Sequence, residues 1–171
     1  LSLWNKCIEL GKNFNITPYG TEAMHVLRAE KGYIIVGQET DGSVTPVDLD
    51  MNWIVSKKKY DFIGKRALVR SDTVKEDRKQ LVGILTVDPT IVLEEGSQLV
   101  EVETSLPMPM VGHITSSYYS PNLGRSIALA LVKSGTKKKG IKLIVPTVNS
   151  SVEVEITNPV FIDPKNERLL A

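Results

Sequence analysis

The chain has 171 residues, 42% of them hydrophobic and 24% charged, which is apolar material enough for a real core in one large domain or two small ones. Its 21 Lys and Arg nearly balance 20 Asp and Glu, so no global field favours nucleic acid or an anionic membrane. No apolar run approaches the roughly 18–20 residues of a membrane-spanning helix, and the lone cysteine, Cys7, cannot form an internal disulfide and points to a reducing, cytoplasmic compartment.

The first predicted element is a helix over Leu3–Leu10, with Ser2 as N-cap and Trp4, Cys7, Ile8 and Gly11 at the i, i+3, i+4, i+7 spacing of a buried stripe. That spacing places Cys7 inside, as packing and not as a nucleophile. The chain opens directly into this helix, without Met or a basic leader, which reads as a piece of something longer. A short connection or strand, Asn13–Ile16, leads to a second helix from Thr21 to Arg28 or Ala29, with Ala23, Met24 and Leu27 on one face and Gly32 as the stop. Glu30 falls at its end, where the helix dipole disfavours an anion by some tenths of a kcal/mol. A carboxylate in such a place is a candidate functional group.

Tyr33–Val36 reads as a short buried strand, Asp41-Gly42 and Thr45-Pro46 as turns, and Trp53–Ser56 as a second strand. Asp61 is placed to cap a third helix, Phe62–Val69, with Ile63, Ala67 and Leu68 toward the core. The polar stretch Ser71–Lys79 marks a boundary between two domains, 1–72 and 79–171. Beyond it, six β-branched and aliphatic runs recur between turns: Leu81–Val87, Leu99–Glu103, Val111–Ser117, Ile127–Val132, Ile141–Val145 and Val152–Thr157. The last alternates apolar and polar residues, as in a sheet with one wet face, whereas Ile127–Val132 is apolar on both faces and belongs at the centre. Six antiparallel strands of this length close as a small barrel or sandwich, so the fold class is α+β: a small α+β module followed by an antiparallel β-barrel.

His25 and His113 sit in different modules without metal-ligand spacing, and no GxGxxG or P-loop is present, so neither a metal nor a dinucleotide is expected here. Asn149-Ser150-Ser151 is a formal glycosylation triplet that we attribute to chance. Thr115–Arg125 reads as a hydroxyl-rich loop, either a binding element held by the barrel or a long turn with Tyr118 and Tyr119 packed over the barrel mouth. Lys137–Lys139 read as solvated surface. Lys57–Lys59 share a module with Glu30.

The motifs LRAEKGY, VGQETDG, NWIV, DFIGKRAL, QLVGIL, GHITSSYYSPNLGRSIALALV and NPVF, in this order and spacing, resemble the folate-dependent aminomethyltransferase family, which includes the T-protein of the glycine cleavage system. PYGTEAMHVLRAEKGY and VSKKKYDFIGKRAL are similar to one branch, the folate-binding part of sarcosine oxidase α subunits. The resemblance implies a folate-binding α+β unit followed by a C-terminal barrel, tetrahydrofolate as ligand, and a place among the other subunits of a hetero-oligomeric oxidase whose FAD, FMN and NAD lie outside this chain. By the same resemblance Glu30 holds the pterin, Tyr19 and Tyr33 flank it, and Lys58 or Lys59 meets the folate tail, as a point charge where some relatives carry the forked Arg.

The family's catalytic Asp maps upstream of Leu1, and Asp41, Asp48 and Asp50 do not match it, so the chain is expected to be inactive alone. Alternatives are a truncated free-standing aminomethyltransferase and a non-catalytic subunit-docking module. A missing half is also expected to expose apolar surface and favour self-association.

Overall fold

Two strands that are apolar on both faces organise the fold. These are β1 (Lys79–Thr86) and β4 (Arg125–Lys133), paired antiparallel with Leu81 opposite Leu131 and Gly83 opposite Leu129. Their inward residues, Val82, Ile84, Ala128, Ala130 and Val132, join Leu99, Ile114, Leu143, Val154 and Ile156 in one core, while Leu81, Leu129 and Leu131 point outward and pack with Leu49, Ile34, Met51 and Phe161. A strand buried on both sides has no wet face to show, which is why Ile127–Val132 carries no alternation.

The computed structural model describes residues 1–148, 150–168 and 170. Asn149 of the glycosylation triplet lies outside them. The remaining strands are β2 (Gln98–Leu99), β3 (Gly112–Ser120), β5 (Lys142–Pro146) and β6 (Ser151–Thr157), in the order β2-β3-β4-β1-β6-β5. Val100, just after β2, exchanges two backbone hydrogen bonds of 2.9 Å with Ile144 of β5, so the edge strands meet and the sheet closes as a barrel. All six strands predicted beyond the domain boundary are present, with shifted ends. The expected loop Thr115–Arg125 is instead mostly strand, because β3 continues to Ser120 and only a tight turn precedes β4. Its small hydroxyls face protein rather than solvent.

The N-terminal module departs further from expectation. α1 (Ser2–Gly11) forms without a side-chain cap and buries no residue; Trp4 is 57% exposed and Cys7 is exposed. The apolar stripe is only partly covered, with Ile16 against Gly11 and Ile8 half-buried, and Cys7 is exposed instead of inside. Asn13–Ile16 is no strand: Lys12–Phe14 make a short 3₁₀ turn. Tyr33–Val36 is not a strand either. Its backbone wraps around Glu39, with Ile35 N–H donating to that carboxylate, and Val36 is 86% exposed. Trp53–Ser56 is replaced by a 3₁₀ turn over Asn52–Ile54, and the third helix shortens to a 3₁₀ turn over Lys65–Val69 behind Gly64 at φ +93°. Among the described residues Asp61 bonds only its neighbour's amide, Phe62 N, so it does not reach an N2 or N3 group as a cap would.

α2 (Thr21–Glu30) is the element that matters for the site. It ends in a Schellman motif: Tyr33 N–H donates to Arg28 O and Gly32 N–H to Ala29 O, both at 2.9 Å, with Gly32 left-handed at φ +67°. The C-terminal segment then crosses this end. Phe161 and Ile162 amides donate to Glu30 O, and Lys31 Nζ bonds Asp163 O and Asn166 Oδ1.

A second clamp ties the module to the barrel. Asp48, buried, receives Arg78 Nε at 2.8 Å and Nη2 at 2.6 Å, and also Thr45 N and Oγ1, while Leu81 N–H donates to Asp48 O. Burial alone would raise this carboxyl, but the Arg78 and Thr45 hydrogen bonds outweigh it and hold it below the ordinary aspartate range. A lowered carboxyl contributes stability above its unfolded pKa, and that contribution is lost as pH falls through the folded value.

Gly83 sits where the C-terminal segment passes over β1: a Cβ there would lie 2.2 Å from Asn158 O. Gly83→Ala is expected to destabilise the chain by about 1–3 kcal/mol, read as a lower urea midpoint. An unchanged midpoint would mean that the segment does not lie against β1.

Candidate functional site

The polar outer row of β3 is created by a bulge. Ile114 pairs with Ala130 and Ser116 with Leu129, so Thr115 and Ser116 together oppose one residue, and the strand changes faces. Ile114 points into the barrel, whereas Ser116, Tyr118 and Ser120 point out, followed by Asn122 in the turn. The last turn of α2 lies on this row. Arg28 takes the near half, and Glu30 takes the far half.

Arg28 Nη2 donates to Ser116 Oγ (2.6 Å), Tyr118 OH (3.3 Å) and Gln38 Oε1 (2.9 Å), and its guanidinium carbon sits 5.7 Å from the Tyr118 ring centre. Nη1 pairs with Glu39 Oε2 at 3.0 Å. Glu39 is fully buried, and both its oxygens are doubly satisfied: Oε2 by Arg28 and Ile35 N, Oε1 by Thr115 Oγ1 and Ser116 Oγ. An ionised carboxylate has about four acceptor sites, so Glu39 is saturated. Its role is to hold the site together.

Glu30 differs in a telling way. It is 3% exposed, yet its donors are neutral: Ser120 Oγ to Oε1 at 2.6 Å, and Asn122 Nδ2 to Oε1 at 3.1 Å and Oε2 at 3.0 Å. Ser120 Oγ also accepts Leu123 N–H at 3.1 Å, so its single proton is directed to Glu30. Among the described residues no Lys, Arg or His pairs with this carboxylate; Lys31 beside it turns to Asp163. Three contacts leave about one acceptor site open, on Oε2. Burying an acid among neutral groups costs stability, and so does an acid at a helix C-terminus.

Among the described residues none of the other predicted site residues hydrogen-bonds to the Glu30 carboxylate. Tyr19 and Tyr33 are 69% and 51% exposed. Lys58 and Lys59 are exposed on the 53–60 segment, and no hydrogen bond or ion pair joins either to Glu30 among the described residues. Asp41 caps Ser43 and Asp48 binds Arg78, both structural tasks. His113 lies near Lys79 and Asp41, and burial, then Lys79, push its imidazole below the ordinary range. An open cleft of about 870 Å³ at a barrel mouth, between Ile91–Glu94 and Val145–Val148, contains none of these residues.

Sequence reasoning missed Arg28, Glu39, Ser116, Ser120 and Asn122. The run Ser116-Ser117-Tyr118-Tyr119-Ser120 shows no apolar–polar alternation, so nothing in the sequence marks which of its side chains face α2.

Residues 1–59 match the GCVT N-terminal domain, and residues 79–163 match the glycine cleavage T-protein C-terminal barrel domain. The chain belongs to the glycine cleavage T-protein family. Within that family it is 52% identical, over 98% of its length, to sarcosine oxidase subunit alpha of Corynebacterium sp. strain P-1, and 39% identical to that of Rhizobium meliloti, but spans only 18% and 17% of those proteins. An aminomethyltransferase of Thermotoga neapolitana is 33% identical over 93% of this chain, which spans 41% of it. The crystal structure of glycine cleavage system aminomethyltransferase T from Bartonella henselae shares the fold, with a TM-score of 0.78 at 20% identity over 92% of this chain and 43% of that one.

Arg28→Ala leaves Glu39 buried without its cation and is expected to cost about 3–5 kcal/mol in chemical denaturation. A loss below about 0.5 kcal/mol would contradict the pairing.

Proposed function

We propose that the chain is the folate-holding part of a sarcosine oxidase α-like polypeptide, with Glu30 as the pterin acceptor. The observation that carries this is the Glu30 carboxylate itself: buried, without a cation, fixed by Ser120 and open at one oxygen. A pterin offers two neighbouring N–H donors on one edge, and a carboxylate accepts both in bidentate fashion. The donor set fits that group, since every partner of Glu30 is neutral and the one from the turn is exposed and replaceable. Tyr19 and Tyr33 would supply apolar faces, and Lys58 or Lys59 a cation for the folate tail.

This chain's residues bind and orient, and none of them acts as a catalytic residue. When bound, tetrahydrofolate would accept the one-carbon unit released as a flavin elsewhere in the complex oxidises the N-methyl group of sarcosine, giving 5,10-methylenetetrahydrofolate. Holding the acceptor near the site of release raises its effective concentration and limits escape of the reactive unit. The other subunits of such an oxidase would be the chain's partners. The second reading is a glycine-cleavage-type aminomethyltransferase, favoured by the 33% identity to the Thermotoga neapolitana enzyme. Both readings give Glu30 the same role.

Glu30→Gln keeps the shape but replaces one acceptor oxygen with a donor. Calorimetric titration of the full-length protein with a reduced folate is expected to show a loss of about 1.5–3 kcal/mol. Unchanged affinity would contradict the assignment.

A further inference from the structure

The barrel seam does not close along its whole length. Val100 and Ile144 exchange two hydrogen bonds of 2.9 Å, and among the described residues the pairing of β2 with β5 stops there. In that antiparallel register the next pair would be Gln98 with Pro146, and a proline has no N–H to return. The N–H and C=O of Gln98 lie on the same side of the strand as those of Val100 and have no strand opposite them. The two edges part at this point into the open cleft of about 870 Å³, which Gln98 and Pro146 both line. Its other walls are largely apolar, with Ile91, Val92, Val152 and Leu106, the last 80% exposed. Glu94 is the one charged residue among those lining it, and among the described residues no cation pairs with its carboxylate. The surrounding chain is acidic as well: from Gln80 to Gly124 it carries Asp88, Glu94, Glu95, Glu101 and Glu103 and neither Lys nor Arg.

We propose that this open seam is a docking site for an extended segment of another polypeptide chain, one that carries apolar side chains and a Lys or Arg. The segment's backbone pairs with the free N–H and C=O of Gln98, an apolar side chain fills the cleft, and the cation meets Glu94. A small apolar molecule could fill the cleft but would leave the peptide groups of Gln98 unmatched, which favours a strand as the occupant. Position in the fold favours a second chain as its source. Six strands closed in the order β2-β3-β4-β1-β6-β5 put the β2/β5 seam opposite the β4/β1 pair, whose outward leucines carry the N-terminal module. The opening therefore faces away from that module. None of this depends on the folate reading, and it would survive that reading's failure.

The test is photocrosslinking in the complete protein, purified with the subunits that accompany it, with benzoylphenylalanine in place of Leu106 and mass spectrometry to identify the captured peptide. The expected product joins Leu106's position to one segment of a different chain, apolar and containing Lys or Arg. Glu94→Lys is then expected to raise the dissociation constant between the two chains at least about fivefold, and Glu94→Gln, which keeps the size and removes only the charge, to raise it less. Because Glu94 is exposed and pairs with no cation of its own chain, the Tm of the protein freed from its partner should be the same in all three, which separates docking from folding. Crosslinks confined to the protein's own chain, or to no polypeptide at all, would overturn the proposal. So would a captured partner whose dissociation constant is unchanged by both Glu94 variants.

Discussion

The seating of the last turn of α2 on the outer row of β3 is the contact on which the rest depends. Arg28 and Glu30, two positions apart, meet Ser116 and Tyr118, then Ser120 and Asn122, so one helix end is read by one strand face. The bulge at Thr115 makes this possible by turning β3's hydroxyls outward. Without it the same parity would send Ser116 into an aliphatic core, where an unpaired hydroxyl is costly. The Schellman turn at Gly32 and the C-terminal strap over Glu30 O hold the helix end from the other side.

Two buried glutamates sit in this one interface and divide its work. Glu39 has a cation and a full set of donors, so it contributes structure. Glu30 has neutral donors and a spare acceptor site, so it is less completely satisfied than Glu39. Comparing how completely each acid is satisfied distinguishes them better than burial, since both are buried.

The barrel was legible in the sequence because strands packed in a closed sheet obey local rules: β-branched runs, turn residues between them, and loss of alternation at Ile127–Val132. The N-terminal module was not, since its segments lack partners of their own kind. Tyr33–Val36 has a strand's composition, but its amides serve Glu39 and the turn around it. Trp53–Ser56 pairs with no strand among the described residues, and a 3₁₀ turn takes its place. Glu30 was visible because an acid at a helix C-terminus conflicts with the dipole. Its partners were hidden by a bulge, which shifts parity by one residue and leaves no mark in composition. Resemblance gave Glu30 a ligand, and only the coordinates show that Ser120 and Asn122 already hold it.

The seating is tested most directly by a double-mutant cycle on unfolding free energy with Glu30→Gln and Ser120→Ala, one residue from each side of the interface. Direct contact predicts a coupling of about 0.5–3 kcal/mol. Additivity within about 0.3–0.5 kcal/mol would mean that the two side chains do not meet, and the site built on that contact would not exist.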